Sequence, residues 1–283
     1  MNGIEVKNTS KNFGNVHALK GVSVHFEENK IYGLLGRNGA GKSTLLNVIT
    51  GRIFASNGEV LVDGETALEN DSALQKIYMM SEKNYYPENM KIRDVFTWTR
   101  EFYPNFDTAY ATALAERFEL NIDKKVKSLS TGYSSIFKLI TALSTNAPYI
   151  LLDEPVLGLD ANHRDLFYRI VIEKFSENPC TVIISTHLIE EAAGVIDHVV
   201  IIKDGEIIKD ESRDDLMSKG YTATGAASVV DSFIADKNVL GMDSLGGLKT
   251  AYISGALDRS TVPSGIEISK MDLQKLFIQL TNS

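Results

Sequence analysis

The run Gly36-Arg37-Asn38-Gly39-Ala40-Gly41-Lys42-Ser43-Thr44 constrains this chain more than any other feature. It fits the pattern G-x-x-x-x-G-K-[ST] and follows a short apolar run at 31–35. Leu45, Leu46, Val48 and Ile49 then continue with helical spacing. A strand that enters a glycine-rich turn and leaves as a helix can turn its backbone N–H groups inward around an anion, with the positive helix end behind them. Gly36, Asn38, Gly39, Ala40, Gly41, Lys42, Ser43 and Thr44 are therefore candidate nucleotide-binding residues. Lys42 is placed to reach β- and γ-phosphates, and the Ser43 hydroxyl to ligate Mg²⁺. At average composition, the four fixed positions match by chance in a chain of this length about one time in a hundred.

Two further continuous apolar runs, 149–152 and 180–184, have strand length and read as strands buried on both faces of a parallel sheet. The first runs into Asp153-Glu154-Pro155. A carboxylate at the C-terminal end of such a strand is where α/β sheets place ligand groups. Asp153 is thus a candidate Mg²⁺ ligand, and Glu154 a candidate general base for an attacking water. Other segments alternate: Ile4 and Val6, then Val22, Val24 and Phe26, then 60–64 ending in Asp63-Gly64. These predict antiparallel strands with one wet face.

Residues from about 88 to 145 are mostly helical in pattern, with Asp107 as a plausible N-cap. Residues 161–175 form another helix, with Leu166, Phe167, Ile170, Val171 and Phe175 on one face. After Gly220 the composition turns small and polar, and 221–228 reads as a linker. A glycine-rich stretch at 241–247 and a helical pattern at 271–280 follow, which predicts a small α+β appendage. The expected organisation is a nucleotide-binding domain over 1–220, with a helical subdomain at about 88–145, and an appendage over 221–283.

Composition narrows the function classes. The 283 residues carry a formal charge of −8, which argues against non-specific nucleic-acid binding and against direct adhesion to anionic lipid. No stretch approaches the roughly 18 consecutive apolar residues of a membrane span, so no direct membrane insertion is expected. The opening residues lack a basic and an apolar region, so no secretion signal is expected. The single cysteine, Cys180, lies in an apolar run and reads as a buried, inert thiol in a reducing cytoplasm.

Three further pieces follow in order: Leu129-Ser130-Thr131-Gly132-Tyr133, Gly158-Leu159-Asp160, and Ser185-Thr186-His187 after the third apolar run. Together with the phosphate loop and the Asp-Glu-Pro strand end, they resemble the ATP-binding subunits of ABC transporters, over residues from about 3 to 220. The resemblance implies an α/β P-loop core with an N-terminal antiparallel layer, a helical subdomain and, here, a C-terminal α+β extension. It implies ATP and Mg²⁺ as ligands, Phe13 as an adenine-stacking residue, and His187 as a catalytic partner of Glu154 and Lys42. It sets Asp160 among the nucleotide-facing residues. It puts Glu82 where the family carries glutamine, able to approach Mg²⁺ and the lytic water but unable to donate a hydrogen bond when ionised.

Ser130 and Gly132 are implied to touch the γ-phosphate of ATP held by a second copy of the chain. Thr131 and Tyr133 depart from the family's Leu-Ser-Gly-Gly-Gln. A separate transmembrane permease is implied as partner, with the chain peripheral at the cytoplasmic face of the membrane. Aromatics at 85–106 (Tyr85, Tyr86, Phe96, Trp98, Phe102, Tyr103, Phe106) divide between subdomain core and a docking surface for it. The segment 269–281 resembles the C-terminal end of simple bacterial exporters, which points to export. The alternative is a soluble ATPase of the same type acting on ribosomes or DNA.

Overall fold

Alternating apolar residues build the first layer. In the computed structural model, which describes residues 2–282, β1 (Ile4–Phe13), β2 (Val16–Phe26), β4 (Asn57–Val62) and β5 (Glu65–Thr66) form an antiparallel sheet in the order β2-β1-β4-β5. Val6 pairs with Val24 on one side and Val60 on the other, so the buried positions of three strands coincide. The intervening Glu5, Lys7 and Glu59 form ion pairs on the wet face.

The second sheet is the buried one. It has the order β10-β9-β3-β8-β7-β6, from β3 (Ile31–Leu35), β6 (Ile77–Met80), β7 (Tyr149–Asp153), β8 (Thr181–Thr186), β9 (His198–Lys203) and β10 (Glu206–Ser212). The pairs β3/β8, β8/β7 and β7/β6 are parallel. Every residue of β3, β6, β7 and β8 is buried, including the polar Asp153, Thr181, Ser185 and Thr186 at the ends of β7 and β8. Helix α1 (Lys42–Ile49) contacts β1 and β2 of the first sheet and β7 of the second. Its Leu45, Leu46 and Ile49 share one core with Ile4, Val24, Tyr32 and Leu151.

A one-turn helix α2 (Asp71–Leu74), capped by the Asn70 side chain, precedes β6. The helical region contains α3 (Ile92–Phe102), α4 (Thr108–Arg117) and α5 (Thr131–Ser144). Asp107 caps α4, accepting from Tyr110 N at 2.9 Å. Positions 135–144 of α5 are all buried, because α5 lies against α4 and also against β6 and β7. The aromatics divide as expected: Phe96 and Phe106 are buried, whereas Tyr85, Trp98 and Phe102 are exposed. Helix α6 (Ala161–Glu177) follows β7, and Cys180 is buried beside it in the chain, its thiol pushed up by burial.

The chain divides into two compact units. One runs to His187 and resumes at Val200–Asp210; the other comprises Leu188–Val199 and the chain from Glu211 onward. The second unit contains α7 (Ile189–Ala192), α8 (Arg213–Ser218), β11 (Gly220–Ala226), α9 (Ala227–Ile234), β12 (Asn238–Leu245), β13 (Leu248–Ser254), β14 (Ile266–Lys270) and α10 (Leu273–Asn282). Its strands form an antiparallel sheet ordered β12-β13-β11-β14.

The linker expected over 221–228 is thereby corrected. Those residues are an inner strand, β11, and the start of α9. They are small because backbones crowd there: a Cβ on Gly225 would lie 2.5 Å from the Gly265 carbonyl oxygen. Tyr221, Ala223, Ala251 and Ile253 pack under Val230 and Phe233 of α9. The apolar face of α10 (Leu273, Leu276, Phe277) is buried, and the helix lies against α7 and β12.

Candidate functional site

The turn between β3 and α1 needs its glycines. Gly39 and Gly41 have φ of 83° and 112°, a region L side chains rarely enter. A Cβ on Gly41 would also meet the Ala18 carbonyl oxygen at 2.8 Å. No side chain caps the start of α1 and no acid stands in its first turn, so its N–H groups remain open to an anion. Lys42 opens the helix and is almost fully buried. Its Nζ donates to Gly36 O at 2.7 Å, which holds the ammonium across the loop.

The ends of β7 and β8 meet this loop. Asp153 pairs with Ser185 in register and accepts its Oγ–H at 3.0 Å. The Ser43 hydroxyl bonds the same carboxylate. Burial pushes the Asp153 pKa up, while the Ser43 and Ser185 hydroxyls pull against that shift. Glu154 has φ of 48°, a left-handed conformation unusual for a non-glycine residue. Its N–H donates to Ser185 O at 2.8 Å. Its Oε2 accepts from Thr186 Oγ1 at 3.3 Å and lies 3.0 Å from His187 Nδ1, while its Oε1 lies 3.8 Å from Lys42 Nζ. Burial lowers the Lys42 pKa, and Glu154 and Asp153 oppose that shift.

One cavity of about 620 Å³ is walled by the phosphate loop, Glu82, Glu154 and His187, and by Val16 and His17 of β2; Asp153 and Ser185 lie outside its lining. The loop residues from Arg37 to Thr44, apart from Ala40, all line it. Phe13 does not. It is half exposed under the Lys11 ammonium and pairs with Val16 across the β1–β2 turn; Val16 lines the cavity. Sequence reasoning missed Val16 and His17; only the closure of this hairpin brings them to the phosphate loop.

Ser130 and Gly132 lie elsewhere. Ser130 caps α5, accepting from Tyr133 N at 3.3 Å, and lines a second cavity of about 320 Å³ with Glu82, Glu154 and Lys138. A Cβ on Gly132 would lie 2.5 Å from the Gly158 carbonyl oxygen, so this glycine is needed within its own chain. Asp160 caps α6. Its carboxylate accepts from His163 N at 2.9 Å and contacts His163 Nδ1 at 3.0 Å; the backbone bond from His163, first among these contacts, holds its pKa down.

Ser43, Asp153 and Glu82 supply hard oxygen donors, the set that suits Mg²⁺. Among the described residues no three His, Cys, Asp or Glu side chains converge as a metal cage. A hydroxyl and carboxylates beside a phosphate cradle fit an ion that completes its shell with substrate phosphates and water.

The fold and this geometry define a glycine-rich phosphate-type loop with a carboxylate–histidine contact beside it. The ABC transporter family model matches residues 19–157. The ABC transporter ATP-binding protein YtrB of Bacillus subtilis (strain 168) is 30% identical over 251 residues, covering 88% of this chain and 86% of that protein. The ribose import ATP-binding protein RbsA of the same organism is 30% identical over 218 residues, covering 72% of this chain but 44% of its own length. The chain thus spans less than half of that relative. Among solved structures, a dimeric bacterial ABC transporter cassette superposes with a TM-score of 0.67 at 25% identity, covering 74% of this chain and 98% of that one. A dimeric cassette in a post-hydrolysis state with ADP and Pi gives 0.65 at 26% identity over the same shares.

The chain belongs to the ABC transporter ATP-binding family. It is an ATP-binding subunit of an ABC transporter, and its ATP hydrolysis is coupled to transport. These relatives do not favour an ATPase acting on ribosomes or DNA. Among the described residues no helix is long and apolar enough to cross a membrane.

Proposed function

We propose that two copies of this chain close on two ATP molecules and drive a separate transmembrane permease, to which the chain binds at the cytoplasmic face of the membrane. The observation that carries the chemistry is the placement of Glu154, between Lys42 Nζ and His187 Nδ1 at the mouth of the phosphate loop. Lys42 exchanges its bond to Gly36 O for the β- and γ-phosphate oxygens. Glu154 takes a proton from the attacking water through its carboxylate. His187 and Thr186 hold that carboxylate in place from β8. Ser43, Asp153 and Glu82 would hold Mg²⁺, which neutralises charge on the phosphates.

Phe13 stacks on the adenine, and Val16 and His17 flank the nucleoside end. Ser130 and Gly132 of one copy complete the site of the other, with Asp160 at the start of α6 near that seam. In support, both capped elements lie off the nucleotide cavity of their own chain, and cassettes of similar fold are dimers. The exposed Tyr85, Trp98 and Phe102 supply an aromatic surface for the permease.

Export is the proposed direction, supported by the resemblance of 269–281 to exporter C-termini. Sedimentation of Glu154→Gln with Mg-ATP tests the two-copy reading: an ATP-dependent shift from monomer to dimer is expected. A persistent monomer with bound ATP would count against it.

A further inference from the structure

Between β6, which ends at Met80, and α3, which starts at Ile92, the chain has no helix or strand. Glu82 lies in this segment, exposed, yet it borders both the nucleotide cavity and the Ser130 cavity. Its aim therefore depends on tertiary bonds. Arg52, just past α1, donates from Nη1 to Ser81 Oγ at 2.7 Å and from Nη2 to Met79 O at 3.2 Å. From the other side, Lys138 of α5 donates from Nζ to Ser81 O at 2.8 Å and to Glu82 O at 2.7 Å.

We infer that Lys138 is a positioning residue that aims Glu82 at the nucleotide cavity, gripping its backbone from the helix that Ser130 caps. This rests on the reading of that cavity as the ATP site. Lys138 is 6% exposed in a helix whose neighbouring positions are apolar or small. Burying an ammonium there is costly, and an apolar chain of similar length would pack as well. The segment it grips borders solvent, Ser81 being half-buried and Glu82 exposed, so no sealed core holds that backbone in its place. What the two charge-assisted bonds supply is a fixed place for an otherwise irregular backbone. The grip also ties Glu82 to α5, so a displacement of the Ser130 cap along with its helix moves Glu82 at the phosphates of its own subunit.

A double-mutant cycle on the full chain tests this, with Lys138→Met, Glu82→Ala and the pair. Two readouts are taken: steady-state hydrolysis, and calorimetric affinity for a non-hydrolysable ATP analogue with Mg²⁺ and with chelator. Lys138→Met is expected to lower kcat about tenfold with KM changed less than about threefold. It should also shrink the affinity gained from Mg²⁺ by the same factor as Glu82→Ala. Added to Glu82→Ala, it should change either readout by less than about twofold. Lys138→Arg, which can reach both carbonyls, should restore most of the loss.

If the two substitutions multiply independently, or Lys138→Met leaves both readouts unchanged, the lysine is only structural and the inference is overturned. Should Lys138→Met not fold, Lys138→Gln, one bond too short for the grip, carries the same comparison. A wild type with neither nucleotide affinity nor turnover overturns the ATP reading along with it, an outcome distinct from independence in an active protein.

Discussion

Lys42 Nζ lies 3.8 Å from Glu154 Oε1 and 2.7 Å from Gly36 O, so one buried ammonium serves both the loop proposed to hold phosphate and the carboxylate proposed to activate water. The two substitutions should separate. Lys42→Ala removes a phosphate ligand and should weaken ATP binding by at least about tenfold. His187→Ala leaves the loop intact but removes one contact to Glu154 Oε2. Its ATP affinity should stay within about threefold of wild type while kcat falls by about tenfold or more. Equilibrium binding beside steady-state kinetics distinguishes these outcomes. Equal loss of affinity in both variants would remove the division of labour.

The cap at α5 gives a second test. Ser130 Oγ accepts from Tyr133 N, so Ser130→Ala should cost about 1 kcal/mol of stability. Ser130 does not line the nucleotide cavity of its own chain, so monomer ATP affinity should be unchanged while turnover falls sharply. Gly132→Ala should be worse, because its Cβ would sit 2.5 Å from Gly158 O and force two turns apart. A destabilisation of about 1–3 kcal/mol in thermal melts is expected. A Gly132→Ala protein with wild-type melting and turnover would show that α5 shifts freely against Gly158.

What was legible in the sequence was local. The phosphate loop, the Asp153-Glu154 strand end and the alternation of β1, β2 and β4 are each written in contiguous residues whose spacing dictates their geometry. The wall position of Val16 was not legible. Val16 belongs to no phosphate-binding pattern, and only the approach of β2 to the loop, where a Cβ on Gly41 would meet Ala18 O, brings it to the cavity. The misreading of 221–228 has a related cause. Thr222, Ala223, Thr224 and Gly225 look like a linker because small residues suit both solvent and tight backbone contact, and the Gly265 carbonyl that imposes the second lies far along the chain. The grip of Lys138 on Glu82 is likewise a contact between segments that no local pattern announces.

Asp63 predicts a pH effect on stability. It follows the β4 strand in a turn with φ of 53°, a conformation asparagine also tolerates, and accepts from Gly3 N, Lys76 Nζ and Tyr149 OH. Burial pushes its pKa up, but the bonds from Lys76, Tyr149 and Gly3 outweigh this and the net shift is down. A carboxylate whose folded pKa is depressed stabilises the fold above its unfolded pKa, and that stability is lost as pH falls through the folded value. Asp63→Asn should therefore be less stable at pH 7, by about 1–2 kcal/mol. The gap to wild type should close as pH drops below the ordinary value of 3.8. Denaturant melts of both proteins from pH 7 to pH 3 check this; a gap that stays constant with pH would assign the loss to packing.

The last helix offers a test of the second unit. The sequence expectation makes the chain after Gly220 separable, behind a linker. In the structure β11 begins at Gly220, and α10 lies against α7, an element far upstream in the same unit. Ile189 and Ala192 of α7 are buried, as are Leu276 and Phe277 of α10. Ending the chain at Gly220 would remove all but the first residue of β11 and strip α7 of its partner helix, so aggregation or low solubility is expected rather than a clean domain. Phe277→Ala isolates the packing term. Emptying a site 8% exposed should cost about 3 kcal/mol or more, because the removed ring loses its transfer energy and leaves a cavity. No nucleotide-cavity residue lies in this unit, so ATP affinity measured well below the melting midpoint should stay within about twofold. An unchanged midpoint would mean that the α10 face does not stabilise the unit; a lost affinity in the folded variant would show that the second unit supports the first.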